Sequence, residues 1–114
     1  MKLDKALLSG SNALLLLKLL EDGDKYGYEM IEELARRSDH TFELKAGTLY
    51  PLLHGLEEKG WIEAYDAMAA GRLRRYYRLT EQGRQALTEK ETAWNSYAAA
   101  VWKVLKGGTC LGET

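Results

Sequence analysis

Cysteine, proline and phenylalanine each occur once in this 114-residue chain, and histidine occurs twice. A single cysteine, Cys110, excludes an intrachain disulfide and a cysteine-based zinc site; in its Gly-rich surroundings it reads as an incidental thiol. His40 and His54 lie on separate segments with no convergent cysteine, so neither a metal site nor a cofactor is expected. Long apolar runs are missing as well. The longest aliphatic run, Ala13 to Leu17, falls far short of the roughly 20 residues that span a bilayer. MKLDKALLSGSNALLLLKLLEDGD places basic residues before leucines, as a secretory leader would. Asp4, Lys18 and Glu21 interrupt that pattern and no small-residue cleavage site follows. The stretch therefore reads as a helix, and the chain as a cytoplasmic protein without a membrane partner.

Signatures of catalysis are absent too: no Gly-rich phosphate loop, no nucleophile with its base, no clustered carboxylates. Ser9 and Ser11 have no histidine near them in sequence. The chain is not expected to be an enzyme. A net charge of −1 and a pI of about 6.1 give it no global basic field either. The distribution departs from that average. GRLRRYYR, residues 71–78, carries four arginines and two tyrosines with no acid, while the acids gather in 21–24, 29–33 and 57–58.

What is present is periodicity. Residues 6–20 read as a leucine-rich helix, apolar on most faces, which asks for burial on most faces. In so small a domain that points to a partner chain on one side, with Leu14 and Leu17 as candidate contacts. EDGDKYG reads as a turn. Residues 26–37 form a second helix with Met30, Ile31, Leu34 and Ala35 inward, and residues 38–45 a connector. In TLYPLLHGL, Leu49, Leu52, Leu53 and Leu56 keep helical spacing although Pro51 falls inside the stripe. Two starts fit this third helix: Pro51 itself, as a first helical residue, or Ala46, with side-chain-free Gly47 facing the ring. Either way it runs to Lys59 and stops at Gly60.

Beyond Gly60 the period changes to that of a hairpin, with strands at 61–65 and 74–79 and a long loop over 66–73. Thr80 is a suitable N-cap for a last helix running to about Lys106. Leu87, Trp94, Ala98, Val101 and Leu105 approximate a heptad seam there, flanked by Tyr97 and Trp102 and interrupted by Glu91. The fold class expected is mainly α with a minor β part: a winged helix-turn-helix over 1–80. A dimerisation helix follows over 81–106, and residues 107–114 read as a disordered tail. Trp94, Ala98, Val101, Trp102 and Leu105 are the candidate dimer contacts on that helix.

YGYEMIEEL (26–34), LKAGTLYPLLHGLEEKGWIE (44–63) and GRLRRYYRLTEQGRQAL (71–87) resemble the PadR family of bacterial transcriptional regulators, in its short subgroup with one helix after the wing. The resemblance implies a homodimeric repressor that reads double-stranded DNA at a pseudo-palindromic operator. It also implies that the third helix begins near Ala46 and tolerates Pro51. Lys45, Thr48, Tyr50, Pro51 and His54 would then lie on or near the groove side, although Lys45 is an N-cap that cannot accept a hydrogen bond. Arg72, Arg74 and Arg75 are the wing's candidate DNA contacts. Trp94 matches a tryptophan that stacks on planar aromatic effectors in drug-sensing members, which makes it a candidate ligand site, though no acid follows at 98–100. The near-neutral charge keeps a second reading open: a winged-helix protein-interaction module that does not read DNA.

Overall fold

The computed structural model describes residues 11–107. The start of the first expected helix, Ser9, Cys110 and nearly all of the expected tail lie outside that range. The described order is α1 (Asn12–Glu21), β1 (Lys25–Tyr26), α2 (Gly27–Arg37), α3 (Ala46–Glu58), β2 (Ile62–Ala69), β3 (Arg72–Leu79) and α4 (Glu81–Leu105). Among the described residues four helices accompany one antiparallel sheet of order β1-β3-β2, a winged helix-turn-helix. Among the described residues no helix is long and apolar enough to cross a membrane.

The core follows the apolar periodicities. Leu16, Leu17, Leu19 and Leu20 of α1 pack with Met30 and Leu34 of α2 and with Leu49, Leu53 and Leu56 of α3. Ile62, Tyr77 and Leu79 close it from the sheet, Ala86 and Leu87 from the start of α4. Leu17 is therefore a core residue of its own chain. It is fully buried there, which corrects its assignment as a subunit contact, while Leu14 is half-buried against the same core.

Two helix ends show how local chemistry sets the turns. After α3 the Trp61 N–H donates to the Leu56 carbonyl and the Gly60 N–H to that of Glu57, with Gly60 left-handed at φ +77°. That is a Schellman motif with glycine where it is favoured. After α2 the same pair of bonds recurs, from His40 to Ala35 and from Asp39 to Arg36, but with Asp39 at φ 50° and His40 at φ 64°. At the start of α4 the Thr80 hydroxyl accepts from the Gly83 N–H at 3.0 Å and donates to the Gly60 carbonyl at 2.7 Å. One threonine thus caps α4 and ties it to the end of α3. Gly83 lies against the Trp61 carbonyl so closely that a Cβ there would overlap it.

Two expectations are corrected. Residues 66–73 do not form a long loop: the strands run on to Ala69 and from Arg72, joined by Ala70 and Gly71 alone. Both turn residues are left-handed, φ 52° and 77°, as the hairpin turn that matches strand twist demands. Ala-Gly satisfies that geometry without the Asn or Asp that usually advertises it. EDGDKYG also holds more than a turn, because Lys25 and Tyr26 pair with Tyr77 and Tyr76 as a third strand. Two residues carry no period, so only the pairing reveals them.

Candidate nucleic-acid interface

Helix α3 begins at Ala46, with extended Lys45 as N-cap making no side-chain cap bond. The N–H groups of Thr48 and Leu49 both donate to the Lys45 carbonyl at 2.9 Å. Pro51 therefore sits inside the helix, and the reason is local. Its ring faces the Gly47 carbonyl, and Gly47 borders open space where no neighbour crowds the first turn. Leu49, Leu53 and Leu56 are buried and Leu52 half-buried, which turns Lys45, Thr48, Tyr50, Pro51 and His54 to solvent. Tyr50 is the least free of these. Its hydroxyl end lies over Gly27 at the start of α2, where a Cβ would collide with it. Tyr50 thus docks α3 onto α2 and offers an exposed ring edge, while the Thr48 hydroxyl is exposed and has no partner among the described residues.

The wing distributes its arginines by strand alternation. On the outer sheet face, Tyr65 stacks on Tyr76 at 5.6 Å and Tyr26 meets Tyr76 edge-on at 5.4 Å. Arg74 lies over the Tyr26 ring at 4.3 Å and Arg78 over Tyr65 at 5.1 Å, a ladder of alternating cations and rings. Arg78 also donates to Glu63 at 2.7 Å, and the Tyr65 hydroxyl donates to Asp24 at 2.5 Å. That hydrogen bond to a carboxylate holds the Tyr65 phenol above its ordinary pKa. Arg75, on the opposite face, stands between Asp66 at 3.6 Å and Glu57 of α3 at 4.0 Å.

The three expected wing contacts therefore divide. Arg75 is engaged by carboxylates and Arg74 by an aromatic ring, while Arg72 is exposed and, among the described residues, in no ion pair. Among the described residues Lys45 is likewise exposed and in no ion pair, so a cation without a described carboxylate partner stands at the start of α3 and another on the wing. Sequence reasoning missed the tyrosines 26, 65 and 76. Alternation puts Tyr76 beside Arg74 on one face, but Tyr26 joins them only through β1.

The second exposed surface belongs to α4. The helix has 25 residues, about 37 Å at 1.5 Å per residue, and only its first turns, at Gly83, Ala86 and Leu87, are buried. Further along, Trp94 is 49% exposed, Trp102 59% and Leu105 69%; Val101 is exposed and Ala98 half-buried. Trp94 and Tyr97 lie 6.0 Å apart. Glu91, which interrupts the seam, pairs with Lys18 of α1 at 3.4 Å and braces α4 against its own chain. The apolar stripe thus begins where the intrachain packing ends. Among the described residues no group of three metal-binding side chains occurs.

Comparison with known proteins sets these features in a family. The model of the PadR-like transcriptional regulator family matches residues 16–89. The chain is 40% identical over 80 residues to the transcriptional regulator Rv3488 of Mycobacterium tuberculosis, covering 70% of this chain and 72% of that one. It is 38% identical over 81 residues to an uncharacterized protein X of Lysinibacillus sphaericus, covering 70% and 74%. Its structure is similar to that of a PadR family transcriptional regulator from Eggerthella lenta, with a TM-score of 0.76 and 32% identity over 88% of this chain and 86% of that one.

Proposed function

Because this chain belongs to the PadR-like family of transcriptional regulators, we propose that it acts as a homodimeric repressor reading a pseudo-palindromic operator with α3 and the wing. Members of the family are non-enzymatic DNA-binding regulators. The observation that carries the finer reading is the exposed face of α3, with Lys45, Thr48, Pro51 and His54 in solvent, together with an exposed Arg72 on the wing that forms no ion pair among the described residues. Phosphate contacts from such cations fix register, and the exposed helix face reads base edges. A mildly acidic chain can bind this way, since only the local field at the groove counts and a dimer doubles it.

For dimerisation this reading takes the α4 stripe of Trp94, Ala98, Val101, Trp102 and Leu105, and the half-buried Leu14 of α1. A helix that leaves two tryptophans and a leucine in solvent loses the benefit of burying them unless a partner covers them. An effector site between two such helices goes with the same reading: Trp94 beside Tyr97 offers rings for a planar aromatic molecule. The absence of an acid at 98–100 favours a neutral ligand over a cation. A cytoplasmic location follows from access to the chromosome.

The test is selection from a pool of random duplexes at physiological salt. A two-fold symmetric motif with half-sites one helical turn or a small multiple apart is the expected recovery. Retention of no sequence above background, together with capture of a stoichiometric protein partner, would replace this reading by the interaction-module one.

A further inference from the structure

Helices α3 and α4 meet at one joint. The Trp61 ring carries the Lys59 ammonium, from the end of α3, at 4.7 Å and that of Lys90, on α4, at 5.2 Å. The Thr80 hydroxyl bonds both Gly60 and Gly83 there. Past Leu87, the other polar tie from α4 to another element among the described residues is Glu91 to Lys18 of α1, at 3.4 Å. Lys90 and Glu91 point about 100° apart around the helix, so the two ties hold it from different sides. Beyond Glu91 every residue of α4 except Ala98 is exposed. Lys18 is shared, since Glu21 of its own helix stands at 2.8 Å. From Leu87 to Leu105 the helix runs on for about 27 Å, so a lean of about 7° displaces its far end by about 3.3 Å. One base pair of duplex rises by about 3.4 Å.

We propose that Lys18 and Glu91 are positioning residues that fix the half-site spacing read by the dimer. This deepens the dimeric DNA-reading assignment and rests on it. In a dimer joined through α4, the separation of the two α3 helices follows from the angle at which each α4 leaves its own core, and that separation dictates the spacing. A duplex one base pair longer or shorter is engaged only if both helices lean. Leaning pivots α4 about the Trp61–Thr80–Gly83 joint and draws Glu91 away from Lys18 in each copy. The ion pair is half-exposed, so its attraction is small and screened by salt. A small term suffices, because it has only to choose between adjacent spacings.

The test uses the full chain, the duplex recovered by selection, and the same duplex with one base pair added or removed between its half-sites. Anisotropy gives the affinity ratio of matched to altered duplex for the wild type, Glu91→Gln and Glu21→Gln. An exposed ion pair contributes a factor of about two to four and a dimer carries two, so Glu91→Gln should lower the ratio by about fourfold to sixteenfold. The change should come from tighter binding of the altered duplexes. Glu21→Gln leaves Lys18 to Glu91 alone and should hold or raise the ratio. Added salt should lower the wild-type ratio towards that of Glu91→Gln, since the phosphates counted by the two duplexes cancel. An unchanged ratio in Glu91→Gln overturns the brace, as does equal weakening on all duplexes or an equal fall in Glu21→Gln. A changed sedimentation mass in Glu91→Gln also overturns it, by placing Glu91 in the contact between copies. If the wild type retains no duplex, the DNA-reading assignment falls and the brace with it; if the wild type discriminates spacing and Glu91→Gln equals it, only the brace falls.

Discussion

Gly83→Ala and Gly55→Ala make the same chemical change on two helices, and the structure requires opposite outcomes. At Gly83 the added methyl would overlap the Trp61 carbonyl and press on a Leu79 methyl carbon. That carbonyl cannot retreat cheaply, since it accepts from the Thr80 N–H at 3.0 Å, and Thr80 is bonded in turn to Gly60 and Gly83. Relief by lifting α4 breaks the Thr80 cap, which costs about 1 kcal/mol. Residual overpacking adds about 1–3 kcal/mol. The gain of alanine over glycine in a helix returns about 1 kcal/mol. The net expectation is a loss of about 1–3 kcal/mol, or roughly 4–15 °C in Tm for a domain this size. At Gly55 nothing lies within 4 Å of the new methyl, so only the propensity gain remains, about 0.5–1 kcal/mol of stabilisation. Urea unfolding followed by circular dichroism, at one fixed protein concentration because the proposed dimerisation would be linked to stability, reads both. A Gly83→Ala protein as stable as the wild type would refute the account of the Trp61–Thr80–Gly83 junction.

Arg72→Ala should lower the salt slope of duplex binding by about 0.9 per wing, whereas Arg75→Ala should leave it nearly unchanged because Arg75 faces Asp66 and Glu57; fluorescence anisotropy across a salt series separates them. Ala70→Asn, in a left-handed turn position, should raise stability by about 0.5–1 kcal/mol in thermal unfolding, with no effect or a loss counting against the turn geometry. Hydrogen bonds from Arg36, then Arg37, hold the Glu33 carboxyl at about 2, below its ordinary 4.5. Its contribution to stability is therefore complete above pH 4.5 and lost as pH falls through about 2, so the urea midpoints of wild type and Glu33→Gln should converge across that window. Val101→Asp with Leu105→Asp should yield a monomer by sedimentation while leaving the unpaired core folded, since both side chains are exposed in the single chain.

Glu91 and Gly60 show how much a linear reading can carry. The leucine stripe of α3, the glycine stop after it and the Thr80 cap were all legible, because each depends on residues within a few positions of one another. The long α4 was legible from heptad spacing, and the break at Glu91 is explained by Lys18, a partner 73 residues away that no local pattern names. The tight turn at Ala70-Gly71 was misread as a loop because alanine is a rare occupant of a left-handed position, tolerated here by strands that pair on both sides.

By itself the sequence determined the order of helices, the buried faces, the capped ends and the concentration of arginine after Gly71, since periodicity and capping are short-range properties of the chain. Tertiary structure alone decided which of those arginines is free. Arg74 is held by Tyr26 and Arg75 by Glu57, both distant in sequence, while Arg72 lies beyond the reach of either. It also decided that Leu17 is core and that Met68 and Leu73 are not. The physical reason is the same throughout: alternation assigns a side chain to a face, but only the packing of distant segments settles whether that face meets protein or water.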